Sequence, residues 1–244
     1  MMEKRTLILS DTHLGEAGGL QVEDLRPLWR GFERVIFNGD TAELQMPRLR
    51  AAAERAVWRL REMADADGVA LDLVCGNHDT DISDTQHLTL MAGRVLVMHG
   101  HALHPGIAPW TRAGKAMARM THAHRADTPA ELAHCMDERL RQASRVAAAG
   151  FELDRATHRT RGMRLLDLLH RPQDALRALA YWRAVPAMAS AFTRRYCPAA
   201  QVIVIGHSHR QGVWHHGGRT IVNTGCYGIP GRPRAVVVQG TTLE

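Results

Sequence analysis

The stretch Arg5-Thr6-Leu7-Ile8-Leu9-Ser10-Asp11-Thr12-His13 reads as a short buried strand that runs straight into metal-ligand chemistry. Thr6 to Leu9 are four consecutive apolar or β-branched residues, the composition of a strand covered by the rest of the chain. Asp11 and His13 follow two residues apart, a carboxylate and an imidazole, each an ordinary ligand of divalent transition metals. One Asp-x-His pair arises easily by chance, so its weight comes from repetition. Four further strand-like runs end the same way. Arg34–Phe37 leads into Asn38-Gly39-Asp40, Ala70–Cys75 into Gly76-Asn77-His78-Asp79, Arg94–Met98 into His99-Gly100-His101, and Gln201–Ile205 into Gly206-His207-Ser208-His209. The glycine before Asp40 lets the chain turn sharply and brings that carboxylate to the strand tip. The pattern is one metal site assembled from five strand ends, where layered α/β sheets place their sites.

Between these strands the sequence turns helical. Val22 to Trp29 fits a short helix or a loop. Met46 to Met63 has Leu49, Ala53, Val57 and Leu60 on one face, with Gly68 closing the helix. From about residue 105 to 198 the chain becomes rich in Ala, Arg and Met and reads as a helical insertion within a single domain spanning 1–244. Helices are expected over Trp110–Ala126 and Pro129–Ala149, the latter starting at Asp127-Thr128-Pro129. Gly150 is expected to break the pattern, Phe151–His170 to resume it, and Gln173–Tyr196 to form a last helix disturbed by Pro186. A hairpin follows, Val213–His216 and Arg219–Asn223 about a Gly217-Gly218 turn, then a final strand at Ala235–Gln239.

Composition narrows the class. The 244 residues are 45% hydrophobic, enough to fill one core, and no apolar run approaches the roughly 20 residues of a membrane-crossing helix. Lys4-Arg5 precedes only a brief apolar run, too short for a secretory signal, so a cytoplasmic protein is expected. Cys75, Cys135, Cys197 and Cys226 are widely spaced and read as reduced, mostly buried thiols. The net charge of +6 is concentrated: residues 105–200 carry 16 Lys and Arg against 8 Asp and Glu. A surplus that is almost all arginine suits an anionic partner, whether a phosphorylated substrate, an acidic membrane surface touched peripherally, or nucleic acid. A solvated, arginine-biased helical surface explains the same charge.

Taken in order, Asp11-x-His13, Gly39-Asp40, Gly76-Asn77-His78-Asp79, His99-Gly100-His101 and Gly206-His207-x-His209 resemble the motif series of the calcineurin-like metallophosphoesterase superfamily. The resemblance covers residues 5–101 and 201–240. It implies an α/β/β/α sandwich of two mixed sheets flanked by helices, with the helical insertion as a cap. It also implies two divalent metal ions, one held by Asp11, His13, Asp40 and His209 and the other by Asp40, Asn77, His99 and His207. Asp40 would bridge them. A water shared by two such ions becomes a nucleophile near neutral pH and attacks phosphorus in line. His78, oriented by Asp79, would stabilise the phosphoryl oxygens and protonate the leaving oxygen. His99 is taken as the ligand over His101, which is left as a more distant support or a substrate contact, and Arg210 is a candidate substrate contact. Glu43, His104, His122, His124, His215 and His216 have no pattern behind them. Carboxylate, amide and imidazole donors admit Mn, Fe, Zn, Co or Ni, and the resemblance favours Mn.

Within the superfamily the sequence is most like the bacterial UDP-2,3-diacylglucosamine pyrophosphohydrolases. That likeness rests on Arg94-Val95-Leu96-Val97-Met98-His99-Gly100, the insertion before Gly206-His207-x-His209, and Asn223-Thr224-Gly225. Two positions depart from that branch: His78 stands where it has arginine, and His101 where it has aspartate. The alternative enzyme is a phosphodiesterase or nuclease with the arginine-rich insertion on a polyanion, against which aromatics for base stacking are scarce. The alternative of another class is a phosphoesterase fold serving as a scaffold, whose mark would be missing ligands. None is missing.

Overall fold

Strands buried on both faces need apolar residues at every position, and alternate residues then feed two different cores. The computed structural model, which describes residues 5–154, 172–227, 234–240 and 242–243, shows that division. In β1 (Arg5–Leu9) and β2 (Arg34–Asn38), Leu7, Leu9, Val35 and Phe37 face one core, while Ile8 and Ile36 face another. Together with β3 (Ala70–Val74) these strands run parallel. The sheet is completed by antiparallel β9 (Val236–Gln239) beside β1 and by β10 (Thr242–Leu243) at the edge.

A second five-stranded mixed sheet has the order β4 (Leu88–Leu90), β5 (Val95–Val97), β6 (Val202–Ile205), β8 (Arg219–Asn223) and β7 (Gly212–His216). Here β5, β6 and β8 are parallel. β4 has no counterpart in the sequence reading, because its three residues are too few for periodicity to show. The two sheets pack face to face through Ile8, Ile36, Val74, Val95, Val97, Val204, Val222, Val236 and Val238.

Helices cover both outer faces. α1 (Val22–Trp29) and α2 (Pro47–Ala66) bury Leu25, Trp29, Ala53, Leu60 and Met63 on the first sheet. On the second sheet, Leu96, Ile203, Ile205 and Ile221 meet Leu140 and Ala143 of α4 (Met136–Asp154) and Tyr181, Val185, Ala189 and Phe192 of α5 (Pro172–Tyr196). The insertion is therefore the fourth layer of the α/β/β/α sandwich, and its apolar residues serve first to bury that sheet.

Three expectations for the insertion change. The helix expected from Pro129 begins at Met136, since Pro129 leads only into a short 3-10 turn at Ala130–Leu132. Gly150 does not end a helix; it lies inside α4, where a β-carbon would meet Met117 Sδ at 2.5 Å, so it permits α4 to approach α3 (Gly114–Ala126). Pro186 sits within α5, and the helix runs through it. The stretch expected to continue to His170 lies mostly outside the described residues.

Candidate metal centre

The parallel strands of both sheets point their C-terminal ends at one edge, and the loops leaving them carry the functional side chains. Backbone hydrogen bonds continue past the strands and hold the loops in register: Asp11 N–H donates to Gly39 O at 3.0 Å, His13 N–H to Asp40 O at 3.0 Å, and Gly206 N–H to His99 O at 2.9 Å. Asn38 ties the two sheets together at the same level, its amide donating to Met98 O at 3.0 Å and Val204 O at 3.3 Å.

Asp11, His13, Asp40, His207 and His209 all have positive φ, between 48° and 65°. Non-glycine residues seldom adopt this conformation, and where they do the strain concentrates at functional sites. Two glycines make the approach tight. A β-carbon on Gly76 would collide with the Asp40 carboxylate and backbone, and one on Gly206 with the Asp11 carboxylate and Ser10 Oγ.

The side chains form two clusters that share one residue. Asp11, His13, Asp40 and His209 bring one ligand atom each within 4.8 Å of one another, and so do Asp40, His99 and His207. Asn77 joins the second group, its Oδ1 3.3 Å from His99 Nε2. Asp40 Oδ1 accepts the His78 N–H at 2.8 Å, while Oδ2 faces His99 Nε2 at 3.1 Å.

Hydrogen bonds fix which imidazole nitrogen faces inward. His99 Nδ1 donates to Asn38 O at 2.9 Å, and His207 Nε2 to Ile107 O at 3.1 Å. His13 Nδ1 bonds Glu43 Oε1 at 2.8 Å. Carbonyls and carboxylates can only accept, so in each ring the other nitrogen is left for the cluster, the arrangement that orients metal-binding histidines.

The electrostatics call for positive charge. Asp11, Asp40, Glu43 and Asp79 are all buried, and among the described residues none of them is ion-paired with Lys or Arg. Burial opposes ionisation of Asp40, yet His99, His78 and His13 hold it well below the usual carboxylate range. Burial likewise opposes charge on His99, but Asp40 and Asp11 push it up to about 9. His207 goes the other way, drawn down to about 3 by burial and by His99. Buried carboxylates whose cationic neighbours among the described residues are imidazoles, set in a ring of O and N donors, are the chemistry of a divalent metal site.

Two residues play parts the sequence reading did not give them. Glu43 is 2% exposed and bridges His13 and His78, its Oε2 lying 2.8 Å from His78 Nδ1. Asp79 does not orient His78. Its carboxylate accepts the backbone N–H groups of Gly76 at 2.7 Å, Asp40 at 3.1 Å, Thr41 at 2.6 Å and Ala42 at 3.3 Å, and so locks the Asp40 loop. Burial and the Asp40 charge push Asp79 up to about 6.

Cys226 is a further addition. It is buried, as expected of most of the cysteines, and its Sγ lies with His13 and His209 in a third group of potential ligands. The expected thiol-free donor set therefore gains a sulfur neighbour. Only its place just after Asn223-Thr224-Gly225 hinted at this.

His101 is 2% exposed, its ring 5.7 Å from His99 and 6.4 Å from His207. Arg210 is exposed, with its guanidinium carbon 6.0 Å from the Trp182 ring and 5.8 Å from the Trp214 ring, beside the centre and outside it.

No protein-family model matches the chain, and no curated protein matches it significantly in sequence. Solved structures do match. A dimetal phosphatase from Danio rerio superposes with a TM-score of 0.50 at 13% identity, covering 98% of this chain and 93% of that one. The fold is that of the calcineurin-like phosphoesterases. Also similar are a protein described as a predicted phosphoesterase from Streptococcus pneumoniae TIGR4 (TM-score 0.38, 16% identity, 98% and 84% covered) and Vacuolar Protein Sorting 29 from Cryptosporidium parvum (0.45, 11%, 100% and 89%). At these identities the likeness extends to the fold, and the chemistry must be argued from the side chains of this chain.

Proposed function

We propose that the chain is a metal-dependent phosphoesterase with a dinuclear centre. The observation that carries this is Asp40: one buried carboxylate belongs to both ligand clusters, and no Lys or Arg among the described residues compensates it. Asp11, His13, Asp40 and His209 would hold one divalent cation, and Asp40, Asn77, His99 and His207 the other. Such ions supply Lewis-acid polarisation of a phosphoryl oxygen and a lowered pKa for water.

The protein's own part is positioning. Glu43 keeps Nδ1 of both His13 and His78 engaged, so Nε2 of His78 is the nitrogen turned towards Asp40, 4.0 Å from Oδ2. That places His78 to bind a phosphoryl oxygen or to give a proton to the leaving oxygen. Phe151 of α4 packs edge-on against the His78 ring with 4.9 Å between centroids, which sets the insertion beside the reacting position.

The substrate we propose is a phosphorylated lipid precursor of the UDP-2,3-diacylglucosamine kind. Its support is the Arg94–Gly100 and Asn223–Gly225 resemblance together with the arginine-rich insertion. Leu153, Leu176 and Leu179 are exposed on that insertion, which suits peripheral contact with an acidic membrane surface. Mn²⁺ is the proposed supporting ion, and metal analysis of the purified chain tests it against Zn or Fe, which Cys226 would favour.

The deciding assay is Mn²⁺-dependent hydrolysis of UDP-2,3-diacylglucosamine beside a bis-aryl phosphodiester, with Asp40→Asn as control. Cleavage of the lipid that is lost in the variant supports the whole reading. Cleavage of the diester alone keeps the phosphoesterase and removes that substrate. A metal-loaded protein that cleaves neither refutes the proposed activity.

A further inference from the structure

A cavity of about 510 Å³ lies within the insertion, where α3, α4 and α5 meet the turn after β5. None of the metal-centre residues lines it. Its volume falls inside the ~300–1,000 Å³ typical of small-molecule sites. The walls are of two kinds: apolar side chains, chiefly Leu103, Leu132, Met188 and Phe192, and three arginines, Arg125, Arg139 and Arg195.

Arg139 is the unusual member. It is 5% exposed, and its Nη2 donates to Ala102 O at 2.8 Å, but Nη1 is buried without any hydrogen-bond partner. Among the described residues no carboxylate pairs with it. Burial and the neighbouring Arg125 pull its guanidinium down to about 10, the response of a cation that lacks a counter-charge. Arg195 offers no relief. Its Nη2 donates to Ala133 O at 3.2 Å, and it lies over the Tyr196 ring at 5.3 Å.

Burying a guanidinium with no counter-charge works against folding unless a polar or anionic group answers it. Hydrogen bonds from arginine to phosphate or carboxylate oxygens are the strong, planar kind that would do so. We propose that this cavity is a second ligand site, separate from the metal centre, for an amphiphile with a phosphate head on Arg139 and Arg125 and an apolar body along Leu103, Met188 and Phe192. A bare inorganic anion would satisfy the arginines but leave the apolar walls uncovered. A neutral apolar molecule would do the reverse. The site does not depend on the phosphoesterase activity proposed above.

The test is calorimetric titration of the full chain with octyl phosphate, inorganic phosphate and octanol, before and after metal removal by chelation. Octyl phosphate is expected to bind one site that survives chelation, at least tenfold tighter than either inorganic phosphate or octanol. That binding should weaken tenfold or more in Arg139→Gln and several-fold in Arg125→Gln, and stay unchanged in Asp40→Asn. Arg125 is exposed, so its variant keeps the fold and still reports on the site if Arg139→Gln does not. Binding lost on chelation belongs to the metal centre and overturns the proposal. So does equal affinity for octanol, equal affinity for inorganic phosphate, or indifference to both arginine variants.

Discussion

Glu43 shows how much a single carboxylate can organise. It accepts from Nδ1 of His13 and from Nδ1 of His78 through separate oxygens, at 2.8 Å each. A glutamine there has one acceptor and one donor group, so one of the two imidazoles loses its partner and its fixed tautomer. Glu43→Gln is therefore expected to lower metal affinity 10–100-fold, the usual cost of losing a group that orients a ligand, and to lower activity with it. Metal titration of the variant checks this, and full affinity would show that His13 is oriented by its loop alone. Asp79 acts on backbone instead of side chain. Asp79→Ala strands the buried N–H groups of Gly76, Asp40 and Thr41, at about 1–3 kcal/mol for each one left unsatisfied. The expected loss is about 3 kcal/mol or more in urea unfolding, with weakened metal binding as a consequence of the loosened Asp40 loop.

At the scale of elements, the insertion is fastened to the metal centre by α5. Trp182 Nε1–H donates to Ser208 O at 2.9 Å, between the two histidines of the Gly206-His207-Ser208-His209 loop, and Arg210 lies near the faces of Trp182 and Trp214. Trp182→Phe keeps the ring packing and removes the donor, so it should cost about 1 kcal/mol by thermal unfolding. Loss of metal affinity in the same variant would show that the insertion also holds the loop in its left-handed turn. The long elements were legible in the sequence because their periods were: β1, β2 and β6 as unbroken apolar runs, α2 as a stripe through Ala53 and Leu60. Their ends carried motif residues that the fold brings together. The partners of Asp79 and Glu43 were not legible, since each depends on which backbone or ring lies within hydrogen-bond reach across the loops. The start of α4 was not legible because Asp127-Thr128-Pro129 has the chemistry of a helix start, yet Asp127 ends α3, the Thr128 hydroxyl donates back to His124 O, and only a 3-10 turn follows Pro129. Gly150 was misread because a glycine that admits a crossing helix looks the same in sequence as one that ends a helix.

For the whole molecule, the metal centre is also a question of stability. The two sheets and the loops from six parallel strands converge on buried Asp11, Asp40, Glu43 and Asp79, and the positive groups facing them are histidines. Burying this much negative charge works against folding unless cations are bound, because ions that bind the folded chain and not the unfolded one add RT ln(1 + [M]/Kd) to its stability. At a hundredfold excess over Kd that is about 2.7 kcal/mol per site. A chain of this size shifts its Tm by about 2–4 °C per kcal/mol. Chelation of both sites is therefore expected to lower Tm by about 10–20 °C, reversed by added Mn²⁺, with a smaller gap in Asp40→Asn because that variant has lost the carboxylate common to both clusters. Calorimetry of the chelated and reloaded chain reads this directly. If Tm does not move while metal is demonstrably removed, protonated histidines alone balance the four acids, and the case for two cations resting on uncompensated charge fails.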